Sequence, residues 1–285
     1  MSYELSDNRY GKARIRLVTV KRDGATHHLR DLTVEVTLEG DFEAAHVAGE
    51  NANVVATDTM KNTVYVLARD NLDGTPEAFA RSVAIHFAAF RQVDTAIVSV
   101  QAHRWLRVDT PSGPSGSAFV RGGSGTRTAR VRASRDALEI EAGIEDLIVM
   151  KTSGSAFVGF ERDAYTTLAE ATDRLMATKV TATWGYDRDA AVDGFDFDAA
   201  HERAVERLMA TFAEHHSASV QHSIWVLAEA MLDADPAIDW VRMILPNLHH
   251  WTVDLAPFGL DNPGEVFVAT TEPHGLIDAT VRRRS

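Results

Sequence analysis

"KARIRLVTVKRDGATHHLRDLTVEVTLEG", residues Lys12 to Gly40, is the stretch that sets the fold. Two apolar-alternating runs flank Asp23-Gly24, a dipeptide suited to a turn. In the first run Ala13, Ile15 and Leu17 fall on one face at strand period. In the second, Leu32, Val34, Val36 and Leu38 share one face, and Thr33, Glu35 and Thr37 the other. The pattern predicts two long strands around a turn.

Downstream the period changes. "DTMKNTVYVLARDN" has apolar residues at 60, 64 and 67, a helical spacing. "TPEAFARSVAIHFAAF" is the clearest helix: Thr75 can cap it, Pro76 sits at the first helical position, and Phe79, Val83, Phe87 and Phe90 form its core stripe. "DTAIVSVQAHRWLRVD" reads as one strand, "PSGPSGS" (Pro111–Ser117) as a loop, and "GGSGTRTARVRAS" as a turn into another strand. The second half repeats the theme. "ALEIEAGIEDLIVMKTSGSAFVGF" is a strand region, "RDAYTTLAEATDRLMAT" a helix, and "KVTATWGYDRD" a strand. "DAAHERAVERLMATFAEHH" and "SVQHSIWVLAEAMLDAD" are helices; "DWVRMILPNLHHWTVDLAP" is a strand interrupted by Pro246, and "GEVFVATTEP" closes the sheet. Each half reads strand-strand, helices, strand-strand. The expected boundary lies near Ser134–Asp136, giving domains 1–135 and 136–285. The halves lack convincing sequence identity, so the repeat is architectural.

The chain has 285 residues, natural for two domains of ordinary size. Hydrophobic residues make up 45% and charged residues 25%, ordinary globular values. There is no cysteine, which excludes disulfides, thiolate metal sites and a thiol nucleophile and fits a reducing compartment. Lys plus Arg is 29 against 41 Asp plus Glu, a net charge of -12. That balance speaks against nucleic-acid and anionic-membrane binding while leaving an anionic small substrate open. "MSYELSDNRYGK" has no apolar signal core, no run approaches the roughly 18 apolar residues of a span, and "TVRRRS" is not a peroxisomal tripeptide. The expectation is a cytoplasmic protein.

Thr57-Asp58 stands where a strand-like run meets a helix, so the spacing predicts a side-chain N-cap. Free N–H groups at such a helix start can also bind an anion or a carbonyl. In "LPNLHHWTVDL", strand alternation puts Asn247, His249, Trp251 and Val253 on one face. An amide beside an imidazole could bind an oxygen species and shuttle a proton, or belong to an ordinary half-polar strand. Adjacent pairs such as His249-His250 and His27-His28 are poor chelates because their rings diverge, and no metal is assigned. Arg174 lies four residues after Glu170. It reads as a surface ion pair at helical spacing or as a bidentate clamp on a planar heteroatom pair. By default Lys12 is a solvated strand-end lysine, Gln221 a polar residue near a helix start, and Phe157 core. "RGGSGTR" fits neither a phosphate-binding nor a dinucleotide pattern.

Taken together and in order, "RYGKARIRLV", "NVVATDTMKNTVY", "KTSGSAFVGFERDAYTTLAEATDR", "KVTATWGY", "SVQHSIWVLAEAML" and "LPNLHHWTVDL" resemble urate oxidase (uricase), the cofactor-free T-fold enzyme family. The likeness runs from near residue 10 to near residue 255. One departure is "PSGPSGSAF", where relatives often carry histidines before the S-F pair. The resemblance implies an α+β fold of two tandem T-fold (tunnelling-fold) domains. Each is an antiparallel four-stranded sheet with helices on one face, and the oligomer closes a β-barrel tunnel. It implies oxidation of urate by dioxygen and water to 5-hydroxyisourate and hydrogen peroxide, with no metal or organic cofactor, in a homotetramer with active sites at subunit interfaces.

Residue by residue, the resemblance implies that Arg174 and Gln221 grip the purine edge, the backbone N–H of Val220 assists, and Phe157 stacks on the ring. Asn247 holds dioxygen or peroxide, with Thr57 nearby. Lys12, Thr57 and His249 form a proton relay, and Asp58 contacts substrate beside Thr57. Within the family the Lys and Thr-Asp elements come from one subunit and the rest from its neighbour. The residue types suit the chemistry: an arginine fork and an amide match a heterocycle edge, an aromatic ring matches its plane, and a hydroxyl both donates and accepts. A lysine acts as base where burial or cationic surroundings lower its pKa. Two alternatives stay open: another purine- or pterin-binding T-fold enzyme, or a non-catalytic purine-binding relative.

Overall fold

The computed structural model describes residues 3–188, 192, 194–270 and 272–284. The chain divides into two compact units, Met1–Gly143 with Gly185–Ala199, and Ile144–Trp184 with Ala200–Ser285.

The first unit holds β1 (Arg9–Asp23), β2 (Thr26–Gly40), α1 (Glu43–Val47), α2 (Thr57–Asp70), α3 (Pro76–Ala88), β3 (Val93–His103), β4 (Trp105–Thr110), β5 (Gly113–Arg121), β6 (Thr126–Ala133) and the start of β7 (Leu138–Lys151). Strands β1, β2, β3 and β6 form an antiparallel sheet in that order, with β7 beyond β6. Its apolar face carries Leu32, Val34, Val36, Leu38, Val98, Val100 and Val131, all buried. Met60 and Val64 of α2 and Phe79, Val83 and Phe87 of α3 bury themselves in the same core. Each such side chain contributes about 1.5–3 kcal/mol relative to exposure. Thr75 caps α3 by accepting from the Ala78 N–H at 3.1 Å, and Pro76 opens its first turn.

One expectation for β1 fails in an informative way. Lys12 pairs with Val36 and Ile15 with Val34, so β1 spends two residues, Ala13 and Arg14, where β2 spends one. This is a β-bulge, and Arg14 takes the left-handed φ of 56°. The strand's phase changes across it. Ala13 does not share the face of Ile15 and Leu17; it is exposed. Tyr10 and Lys12, opposite Leu38 and Val36, join that face instead. Gly11 lies between them, where a Cβ would sit 1.9 Å from the Val36 carbonyl oxygen.

The single strand expected at 94–109 breaks at Arg104, and the expected loop Pro111–Ser117 is mostly strand. Only Pro111 and Ser112 turn between β4 and β5, and the Thr110 hydroxyl donates to the Gly113 carbonyl at 2.7 Å. Arg107 holds the hairpin down by donating to the carbonyls of His27, Ser115 and Gly116.

The second unit contains the rest of β7, most of β8 (Met176–Tyr186) and α4 (Phe197–Glu214), then α5 (Val220–Ala234), β9 (Ile238–Leu248), β10 (His250–Thr252), a short 3-10 turn at Ala256–Phe258, β11 (Phe267–Ala269) and β12 (Gly275–Arg282). Its strand order is β7-β8-β9-β12. Ile224, Leu227, Ala228 and Met231 of α5 are buried, as are Val241, Met243 and Leu245 of β9, against which α5 packs. Pro246 does not interrupt β9. Leu276 of β12 stands opposite it, the Pro246 carbonyl accepts from the Thr178 hydroxyl at 2.8 Å, and the break comes at His249. "GEVFVATTEP" contributes β11 to a small sheet with β10, and β12 borders β9 in the main sheet.

The helix expected over Arg162–Thr178 is absent. Residues 161–175 carry no helix, because polar side chains satisfy the backbone in other ways. Asp163 accepts from the Tyr165 N–H and the Thr166 hydroxyl in a local turn, Glu170 accepts from the Gly159 N–H, and Asp173 accepts from the Gly154 N–H. Asp189 and Thr271, at the ends of two expected strands, lie outside the described residues. No helix among the described residues is long and apolar enough to cross a membrane.

Candidate active site

The sequence-predicted site residues form two groups, one in each unit.

In the first unit the bulge puts Lys12 on the helix-covered face of β1, against which α2 packs. The predicted side-chain cap of α2 is not formed. Its N-cap is Ala56, no side chain caps it, and Thr57 and Asp58 are its first two helical residues. The first-turn N–H groups therefore keep their capacity to receive a ligand oxygen. Asp58 bonds instead to Lys61 and to Asn62 Nδ2, the latter at 2.9 Å. The Lys61 ammonium holds the Asp58 carboxyl below the usual carboxylate range, with smaller contributions from Asn62 and from the charge of Lys12. Lys12 thus lies within electrostatic reach of the start of α2.

In the second unit the strip 154–157 is stitched on both sides. On one side Ser217 donates its N–H to Gly154 at 2.9 Å and accepts from the Ala156 N–H at 2.7 Å, a parallel bridge. On the other, Phe157 and Ala171 exchange two backbone bonds, at 2.7 and 3.0 Å, and Arg174 donates its N–H to Ser155 at 2.8 Å. Seventeen positions apart in sequence, Phe157 and Arg174 are thereby brought face to face. The guanidinium carbon lies 5.3 Å from the ring centroid, a cation–π distance. Arg174 Nε is buried with no hydrogen-bond partner, and burial pulls the pKa of the guanidinium down. The ion pair expected between Glu170 and Arg174 does not form, since the helix it needs is missing.

Val220 and Gln221 open α5 behind the cap Ser219, whose hydroxyl accepts from the His222 N–H at 3.1 Å. Buried polar groups anchor this end. Ser223 Oγ lies 2.7 Å from Ser217 Oγ and 3.0 Å from His215 Nε2, while His215 Nδ1 faces the Thr211 carbonyl at 2.9 Å. A carbonyl only accepts, so the ring proton sits on Nδ1. The start of α5 and the strip bearing Phe157 are thus fixed through one residue, Ser217.

Asn247 and His249 meet as strand alternation predicts, Nδ2 to Nδ1 at 3.5 Å, and Trp251 stacks on His249 at 5.2 Å. Burial first, then the charge of Arg174, then His274, keep the His249 imidazole below its ordinary pKa. His249 therefore lies within the field of Arg174. The groups that sequence reading missed are Ser155, Asp173, Ser217, Ser223 and His215. All act through tertiary pairings that no spacing announces.

The uricase family model matches residues 8–132 and 140–278. The chain belongs to the uricase family. It is similar to the uricase of Arthrobacter globiformis, 46% identical over 98% of this chain and 90% of that one. The uricase of Emericella nidulans is 37% identical, covering 97% and 96% of the two chains. Among solved structures, the crystal structure of uricase from Arthrobacter globiformis superposes with a TM-score of 0.93, covering 99% of this chain and 96% of that one. The T-fold α+β architecture of the uricases follows for this chain. Lys12 and Thr57 lie within the first matched range, and Phe157, Arg174, Gln221, Asn247 and His249 within the second.

Proposed function

We propose that this chain is a urate oxidase, converting urate, dioxygen and water to 5-hydroxyisourate and hydrogen peroxide without metal or organic cofactor. The observation that carries the reading is Arg174: a guanidinium over an aromatic ring, with a buried N–H aimed at no protein acceptor. A planar purine anion supplies what is missing, a heteroatom edge for the fork. Gln221 and the N–H of Val220, at an α5 terminus that favours negative charge, complete the rim.

Dioxygen is a triplet and reacts slowly with closed-shell molecules, so without a cofactor the substrate itself must be the reductant. Lys12 and Thr57 remove a proton from urate, the hydroxyl passing it on as donor and acceptor at once. The electron-rich dianion then passes one electron to dioxygen held by Asn247 beside Thr57. His249, neutral near pH 7, takes part in proton transfer to peroxide and from the water that adds to the ring. Two electrons leave urate and reduce dioxygen to peroxide, and the water oxygen stays on the purine. Preorganised charge around the anion supplies the largest part of the acceleration.

Lys12, Thr57 and Asp58 act on urate bound by a neighbouring copy, in a homotetramer whose paired sheets close a tunnel. Supporting this, β1 and β12 each pair on one side only. Exposed apolar residues accompany both, Val18 on β1 at 58% and Leu276 on β12 at 68%. Such edges favour strand pairing with another copy. The test is metal-free protein with urate: absorbance of urate falls as peroxide rises. Activity that disappears with chelator and returns with metal overturns the reading.

A further inference from the structure

We propose that Tyr10 is a positioning residue for the proton relay, setting Thr57 against Lys12. The proposal rests on the relay reading above and adds a residue that touches neither substrate nor oxygen.

The segment that delivers Thr57 has little backbone anchorage. Between Asn51 and Ala56 the backbone makes one internal turn bond, Val54 N–H to Asn51, and no ladder with any strand. Side chains hold it instead. Gln92 Nε2 donates to the Asn53 carbonyl at 3.0 Å, and Asn53 Nδ2 donates to the Asp41 carboxylate at 2.9 Å. The last tie before the helix is Tyr10. Its hydroxyl accepts from the Val55 N–H at 2.7 Å and donates to the Val55 carbonyl at 3.1 Å. One phenol oxygen thus serves both polar groups of a buried peptide residue, as a neighbouring strand would.

Tyr10 is equally fixed at its other end. Its ring meets Phe42 edge-on, with centroids 4.7 Å apart and planes at 87°. In β1 it stands two residues before Lys12 on the same face, before the bulge. The side chain therefore spans from the strand of the lysine to the residue two before the threonine. Proton transfer between groups on different elements is sensitive to separation, and a displacement of about 1 Å can cost on the order of a hundredfold in rate. Among the described residues, nothing else that bonds the 53–56 segment comes from β1.

Tyr10→Phe keeps the ring against Phe42 and deletes only the oxygen. The experiment measures kcat, KM and the Kd of an unreactive purine analogue for wild type, Tyr10→Phe, Lys12→Ala and Thr57→Ala, with melting temperature as a check on folding. The expected result is a kcat for Tyr10→Phe reduced roughly tenfold or more, analogue affinity within about twofold, and a larger solvent deuterium isotope effect as proton transfer becomes limiting. Turnover kept in Tyr10→Phe but lost in Lys12→Ala and Thr57→Ala overturns the positioning role while leaving the relay. Turnover kept in all three removes the relay and Tyr10's part with it. Analogue binding lost in step with kcat also overturns it, since Tyr10 would then hold the site in general.

Discussion

Arg174 donates its backbone N–H to Ser155 while its guanidinium stands over the ring of Phe157, two residues further along that same strip. One main-chain bond thus sets the angle between the edge-binding and face-binding parts of the site. A lysine at 174 would carry the charge but not the planar fork. Arg174→Lys is expected to weaken binding of a purine analogue by about 1.5–3 kcal/mol, roughly ten- to a hundredfold in Kd, measured by calorimetry. An unchanged Kd would place the purine elsewhere.

Burial, then the charge of the same guanidinium and then His274, hold the pKa of His249 down. Arg174→Gln is therefore expected to raise the His249 pKa, read from imidazole resonances during a pH titration. The acid limb of kcat should move to higher pH with it. An unmoved titration would show that the Arg174 charge does not reach His249.

Stability should respond to acid with a definite sign. His103, His215 and His249 all have folded-state pKa values below the ordinary histidine value, each chiefly through burial. A neutral buried imidazole must charge to follow the unfolded chain. Its contribution is complete above about pH 6.5 and is lost as pH falls through the folded value. Denaturant melts at pH 7.5 and 5.5 should show the loss, and His215→Gln should lessen it. An equal loss in that variant would remove His215 from the account.

Shared sites make a prediction that shared chemistry alone does not. Thr57→Ala and Arg174→Ala should each be nearly inactive. After verified subunit exchange their mixture should recover up to about a quarter of wild-type activity, because half the paired copies then hold one intact site of two. No recovery would mean that each chain builds its own site.

Glu77 on α3 has no exposed surface, and Arg127 of β6 meets it with two nitrogens, at 3.2 and 2.7 Å, while also bonding Asp198. Burial pushes the Glu77 carboxyl up against the pull of Arg127. Arg127→Met should cost about 3–5 kcal/mol in denaturant melts, and the double change with Glu77→Gln should restore part of it. Additive losses would deny the coupling.

The sequence carried the hairpin, both long strands and four of the helices, because each obeys one period over many residues. It misled where a single residue breaks the period. The bulge at Ala13–Arg14 leaves no compositional trace, so alternation assigned Ala13 inward and read Lys12 as a solvated strand-end lysine, whereas it stands half-buried opposite Val36. At 162–178 helix formers dominate, yet Asp163, Glu170 and Asp173 spend their oxygens on nearby backbone, and a propensity sum cannot see that competition. Pro246 looked like a breaker because its cost depends on what stands opposite, which is Leu276. Asn247 and His249 were legible, being two apart on one strand. The meeting of Phe157 with Arg174 was legible only by likeness to uricases, since an irregular knot of backbone bonds creates it.

The doubled residue in β1 behaves as a switch in the reading frame of the strand. Deleting Arg14 would let the hairpin zip without interruption and keep its apolar core beyond Ile15. Ala13 alone would then face Glu35, while Lys12 would still stand opposite Val36 and Tyr10 opposite Leu38. The extra residue is thus absorbed locally, and the lysine and the tyrosine keep the partners that hold them beneath the helix.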